Sequence, residues 1–249
     1  MYAAGFTDVG VTRSQNQDAI FVCNKPYGPF PNLFIVADGM GGHNAGDVAS
    51  TTAVEEFCGY IRNYAAADFI RPENYLDLLV SAAQHAGAEI IKKALADEAM
   101  AGMGTTFTAC VIKNEKVFLA HIGDSRAYAV SHTGMTRLTT DHTFVEQLMQ
   151  AGRVSREEAD SHPKRHVLTR VLGVPDVNEI DGLIREIPAD TTAVLLCSDG
   201  LSNMLDEESM MKIINGLGYV EHRTKYLIDE ANRNGGKDNV SAVLIDVGR

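Results

Sequence analysis

The chain has 249 residues, 45% of them hydrophobic and 22% charged, with a net charge of −11 at pH 7. This is the composition of a soluble globular protein with enough apolar side chains for a sizeable core, and the acidic excess argues against a nucleic-acid backbone or an anionic membrane as main partner. No apolar run approaches the roughly 18 residues of a membrane helix and no apolar segment follows the start, so a cytoplasmic protein without a leader is expected.

In chain order, "RSQNQDA" places Arg13, Asn16, Gln17 and Asp18 ahead of a strand, "AIFVC". The proline-rich loop "KPYGPFP" follows and is too short to separate domains. "LFIVA" reads as a buried strand that stops at Asp38 and runs into Gly39, Gly41 and Gly42. Apolar residues at helical spacing predict a helix over 45–66, on Val54, Phe57, Ile61 and Tyr64. A longer one is predicted over 74–98, on Leu78, Leu79, Ala82, Ala86, Ile90 and Ala94. "TFTACVI" and "KVFLAHI" read as a hairpin through Asn114-Glu115, and "RAYAV" starts a second hairpin through Thr133-Gly134.

Between the strands lies a helical insert over 141–173. It holds a helix at 144–151 and a short one opened by Ser155, with Glu158 three residues on as a capping box. The adjoining "SHPKRHVLTRVLG" is basic, with Lys164, Arg165 and Arg170 beside two histidines. "TAVLLC" then ends at Asp199, a third helix over 220–232 closes on Asn234-Gly235-Gly236, and "VSAVLID" follows Asp238. Strands at antiparallel spacing with amphipathic helices predict an α+β layered protein. Cys23, Cys58, Cys110 and Cys197 are scattered with no CxxC spacing, so free thiols are expected rather than disulfides or a zinc site.

Four aspartates share one context. Asp38, Asp124, Asp199 and Asp238 each sit at a junction between a buried strand and a loop. Any one of them reads as a turn residue, and Asp124 in "GDSR" would then face solvent. Four together argue that strand ends gather carboxylates, which repel one another unless a cation is present. Oxygen ligands without a Cys or His cluster suit Mg²⁺ or Mn²⁺, and the calcium alternative lacks an EF-hand loop. Near such ions, the planar fork of Arg13 would suit a pair of phosphate oxygens.

Arg13…Asn16-Gln17-Asp18, "DGMGGH", "GDSR", "SDGL" and "KDN", in this order and at these separations, resemble the protein phosphatase 2C family of metal-dependent serine/threonine phosphatases in its bacterial form. "DHTFVEQLMQAGRVSREEADSHPKRHVLTRVLG" is also similar to bacterial members. The resemblance covers essentially the whole chain and implies one domain over 1–249 with a four-layer α-β-β-α sandwich. Its two antiparallel sheets are flanked by helices, with a metal cleft at one edge. It implies that Asp38 bridges two ions, Mn²⁺ or Mg²⁺, that the Gly39 carbonyl ligates one of them, and that Asp199 and Asp238 hold the other. It also implies a third, weaker ion shared by Asp124 and Asp199, with Asp18 orienting metal-bound water and Arg13 binding the substrate phosphate. Phosphoserine and phosphothreonine would be hydrolysed by attack of a metal-bridging water, with no covalent enzyme intermediate.

Two positions depart from the animal members. Gln17 stands where they have a glutamate, and Met40 where a proposed general-acid histidine follows the Asp-Gly pair. His43, three residues later, becomes the candidate acid, alongside a purely structural role for it. The expected partners are phosphorylated proteins and the serine/threonine kinase that modifies them, with no nucleic acid or membrane, and the expected state is a monomer. A catalytically silent binding module is disfavoured because every metal aspartate is present. A two-metal nuclease is disfavoured by the acidic charge and the lack of an aromatic, basic groove.

Overall fold

Strands that are apolar on both faces need cover on both sides, and that requirement organises this molecule. The computed structural model describes residues 1–42, 45–64 and 71–248. Its strands are β1 Tyr2–Asp8, β2 Asp18–Cys23, β3 Leu33–Met40, β4 Gly104–Thr105, β5 Phe107–Lys113, β6 Lys116–Ile122, β7 Arg126–Ser131, β8 Met135–Arg137, β9 Asp181–Glu186, β10 Thr191–Cys197 and β11 Val240–Asp246. Its α-helices are α1 Ala45–Asn63, α2 Tyr75–Ala96, α3 Phe144–Gln150, α4 Arg156–Asp160, α5 Asp199–Ser202, α6 Glu207–Ile214 and α7 Val220–Arg233.

Two antiparallel sheets stack face to face. One has the order β1-β11-β10-β7-β8 and the other β2-β3-β5-β6-β9, with β4 paired to β3. Side chains alternate between the faces of a strand, so each central strand feeds two cores. Leu33, Ile35 and Ala37 of β3 pack under α1 and α2, while Phe34 and Val36 point to the other sheet. Ala242 and Leu244 of β11 pack under α7, while Val243 and Ile245 meet β3 and β5 side chains between the sheets. The result is the expected α-β-β-α sandwich.

Most predicted elements are present with shifted ends. The first helix stops at Asn63, and the second runs 75–96 with 3₁₀ turns at Pro72–Asn74 and Glu98–Met100. Asn114 and Glu115 both have positive φ, 49° and 62°, as a two-residue hairpin turn requires. Ser155 caps α4 and Glu158 returns the bond, as the capping box predicts. Several elements were not foreseen, among them the two-residue β4 and the one-turn α5. β1 is built largely from small residues, β9 is a mostly exposed edge strand, and α6 is short with only Met210 and Ile214 buried. The four cysteines are free thiols, three buried and Cys23 partly so. Among the described residues, no helix is long and apolar enough to cross a membrane.

Candidate metal centre

Five aspartates converge at one edge of the sandwich, and each arrives on a different piece of chain. Asp18 opens β2 directly opposite Asp38 in the β2–β3 register. Asp199 is the first residue of α5, just beyond β10, and Asp238 lies just ahead of β11. Asp124 sits in the crossover at 123–125 that carries the chain from one sheet to the other. Asp38, Asp124, Asp199 and Asp238 line one cleft of about 600 Å³, together with Arg13, Gln17, Gly39 and Met40.

Asp124 is therefore not a solvent-facing turn residue. Its carboxyl is desolvated, which, with the charges of Asp199 and Asp141, puts it well above the ordinary carboxylate range. Burial, then the other four aspartates, does the same to Asp38. Asp199 is raised by burial and by Asp238, and it shares a hydrogen bond with the Asp38 carboxyl. Asp18 is pushed up to about 7, mainly by burial, although two serine hydroxyls hold it down. Those hydroxyls, from Ser198 at 2.9 Å and Ser241 at 2.6 Å, both donate to Oδ2. Oδ1 of Asp18 is buried with no partner.

An orphaned carboxylate oxygen among four mutually repelling carboxyls fits a hard divalent cation with water in its shell. Among the described residues no three acidic, His or Cys side chains close a ready-made cage. The aspartates instead line an open cleft, as suits an ion that keeps waters and a backbone carbonyl among its ligands. The donor set is oxygen, which favours Mg²⁺ or Mn²⁺.

The backbone beneath the site is tightly held. The Asp38 N–H donates to Thr106 Oγ1 at 2.9 Å, and its carbonyl accepts from the Thr106 N–H at 2.8 Å and from Thr105 Oγ1 at 2.9 Å. Thr106 Oγ1 also meets Ser125 Oγ at 2.7 Å, which ties Asp38 to the Asp124 crossover. Asn239 joins the two chain ends. Its Nδ2 donates to the carbonyls of Val9 and Gln15, each at 2.9 Å, and its Oδ1 accepts the Gln17 N–H at 2.8 Å.

Glycine serves this packing in a way the sequence left open. A Cβ on Gly39 would lie 2.0 Å from the Gly46 carbonyl of α1, and one on Gly200 would lie 1.9 Å from the Asn239 carbonyl. At both of these aspartate-glycine junctions, backbone presses on backbone where any side chain would collide.

Arg13 reaches the cleft from the loop before β2 and donates through Nη2 to Asp238 Oδ2 at 2.8 Å, with about half of its side chain exposed. Met40 is 39% exposed on the cleft wall, so an apolar thioether stands beside the site. Gln17 lines the cleft as well. Asn16 is not among the lining residues; its Nδ2 donates to Thr7 Oγ1 at 2.8 Å and its Oδ1 accepts the Asp18 N–H at 3.1 Å. His43 lies outside the described residues. The insert contributes Arg165, His166 and Leu168 to the opposite lip.

Sequence reasoning missed Ser198, Ser241, Thr106 and Asn239. Ser198 and Asn239 each adjoin a metal-candidate aspartate, and that adjacency was the available signal. Nothing local marks Thr106 or Ser241.

Comparison with known proteins agrees along the whole chain. Residues 11–232 match the family description "Protein phosphatase 2C". The serine/threonine phosphatase stp of Listeria monocytogenes is 36% identical over 249 residues, covering 99% of this chain and 96% of that protein. The serine/threonine protein phosphatase PstP of Mycobacterium tuberculosis is 37% identical over 247 residues, covering 99% of this chain and 45% of that longer protein. The crystal structure of Stp1 from Staphylococcus aureus superposes with a TM-score of 0.89 at 29% identity, covering 99% of this chain and 95% of that one. A PstP catalytic domain in complex with two manganese ions superposes with a TM-score of 0.81 at 32% identity, covering 98% and 97%.

Proposed function

This chain belongs to the protein phosphatase 2C family and is a protein-serine/threonine phosphatase, and from that premise we propose how its residues divide the work. Asp38, the Gly39 carbonyl, Asp199 and Asp238 would hold two divalent ions, Mn²⁺ or Mg²⁺, and Asp124 with Asp199 a third, weaker one. Bound there, the ions supply a water acidic enough to act as nucleophile near neutral pH, and positive charge for the phosphoryl oxygens. The convergence of four aspartates from four chain segments on one cleft that Arg13 also lines, with a fifth, Asp18, paired beside Asp38, carries this reading.

The protein's own groups supply the rest. Arg13 exchanges its bond to Asp238 for the substrate phosphate, to which its guanidinium donates charge-assisted hydrogen bonds. Asp18 is fixed through Oδ2 by Ser198 and Ser241, which leaves Oδ1 to accept a hydrogen bond from the attacking water. Met40 has no proton to give, so His43 is assigned as donor to the leaving seryl or threonyl oxygen. The substrates are proteins phosphorylated by a serine/threonine kinase. Residues 1–249 act as a single monomeric domain in this reading.

Protein stripped by a chelator should lose hydrolysis of a phosphothreonine peptide and regain it with Mn²⁺. Undiminished turnover after complete stripping would refute the metal mechanism.

A further inference from the structure

The dipeptide Asp141-His142 opens the insert and takes no part in the chemistry above, yet it grips the Asp124 crossover at both ends. On one side, the His142 N–H donates to the Gly123 carbonyl at 2.8 Å, and the Gly123 N–H donates to His142 Nδ1 at 3.1 Å. On the other side, Asp141 receives the Arg126 guanidinium, with Nη2 at 2.8 Å and Nε at 3.2 Å from both carboxylate oxygens. Arg137 adds an ion pair to the same carboxylate. Asp141 thus holds the Arg126 guanidinium two residues from Asp124.

The same histidine ties down the insert. Since Nδ1 accepts from Gly123, Nε2 carries the proton and donates to Asp181 Oδ2 on β9 at 3.2 Å. Asp181 Oδ1 accepts from Arg170 Nη1 at 2.7 Å, in the returning limb of the insert. The His142 carbonyl accepts the Thr169 N–H at 2.8 Å in that limb. The ring is buried and packs at a tilt of 40° against His121, with centroids 4.9 Å apart. Arg165, His166 and Leu168, which form a lip of the cleft, hang from this limb.

We infer that Asp141 and His142 are positioning residues that couple the seat of Asp124 to the docking of the insert, so that the third-ion site and the substrate-facing lip are set together. This rests on the reading of Asp124 as a metal ligand given above.

Two amide substitutions separate the two grips. His142→Asn keeps an acceptor near Nδ1 for Gly123 and loses Asp181, whereas His142→Gln keeps a donor near Nε2 and loses Gly123. In metal-free protein, amide exchange at Gly123 should quicken in His142→Gln, and exchange at Thr169 in His142→Asn. His142→Gln should weaken the loosest Mn²⁺ step in calorimetric titration by about 10–100-fold, the scale of lost outer-shell support, and lower kcat without moving the two tighter steps. His142→Asn should instead raise KM for a phosphopeptide while sparing a small aryl phosphate. Should either variant unfold, Asp181→Asn, at a side chain 32% exposed, reads the insert grip alone by exchange at Thr169.

Wild-type exchange in these variants would overturn the clamp. Quickened exchange with wild-type Mn²⁺ titration would overturn its coupling to Asp124. Absence of Mn²⁺-dependent turnover in the wild type would overturn the phosphatase reading instead, and the exchange arm would still decide whether the clamp exists.

Discussion

The floor of the cleft and its lip are built by opposite means. Four floor aspartates stand at or near the ends of β2, β3, β10 and β11, and Asp124 stands in the crossover between the sheets; β3, β10 and β11 are buried on both faces. The lip hangs on the insert, where residues 151–158 and 160–167 are almost all partly or fully exposed and the two helices bury only Val145 and Ala159. Core packing fixes the floor, so its carboxylates can be held against their own repulsion. The lip is held mainly by hydrogen bonds at its root, which suits a part that meets varied substrates rather than one that performs chemistry.

The contrast breaks first if a floor carboxylate proves dispensable. Asp38→Asn should lower kcat by about 10³-fold or more if Asp38 is the metal ligand proposed above. It should also leave the metal-free protein at least as stable as wild type, since the carboxyl it replaces is repelled by four others. Kinetics and a thermal melt check both halves, and an active or unfolded mutant would break the contrast.

Next comes pH. Asp18, pushed up to about 7, and the raised Asp38, Asp124 and Asp199 bind protons more tightly folded than unfolded. Their contribution is therefore present in full below about pH 4, the unfolded carboxylate value, and lost as pH rises through the folded values. Metal-free protein should melt about 5 °C or more lower at pH 8 than at pH 5, and Mn²⁺ should recover most of that at pH 8. A melting temperature flat or rising across that interval would mean that the floor stores no repulsion.

Arg13→Ala should raise KM for a phosphopeptide about 10–100-fold, from charge-assisted bonds worth ~1.5–3 kcal/mol, with kcat less affected. Unchanged kinetics would return Arg13 to the role of a surface partner for Asp238. Smallest of all, Ser155→Ala removes the α4 cap on the exposed insert. It should cost about 0.5–1 kcal/mol locally and leave turnover of a small aryl phosphate unchanged. A large loss of global stability would show the lip to be as integral as the floor.

The sequence made the floor readable because a strand buried on both faces leaves a continuous apolar run, and an aspartate at its end stands out against it. "LFIVADG", "AHIGDS" and "LLCSDG" all carry that mark. β1 hid because small residues and Gly5 do not alternate visibly, and β9 hid because its outer face is exposed. The support under the floor was unreadable for a different reason. Ser241 is 223 residues from Asp18, and Asn239 is 222 from Gln17, and no local pattern announces a bond across such a separation. Asp124 lines the cleft with the other aspartates, but its surroundings were not readable, since "GDSR" looks like a hairpin turn and is instead a crossover between sheets.

β11 is late in the chain but sits inside its sheet, hydrogen-bonded to β1 on one side and β10 on the other. A chain emerging from a ribosome therefore holds β1 and β10 without the strand that joins them, and lacks Asp238, until residues 238–246 have been made. Copies that end before residue 238 have a split sheet and lack one of the cleft aspartates, so on the reading proposed above they would not strip phosphates from neighbouring proteins. On that reading, catalytic competence would thus be coupled to completion of the fold by strand order.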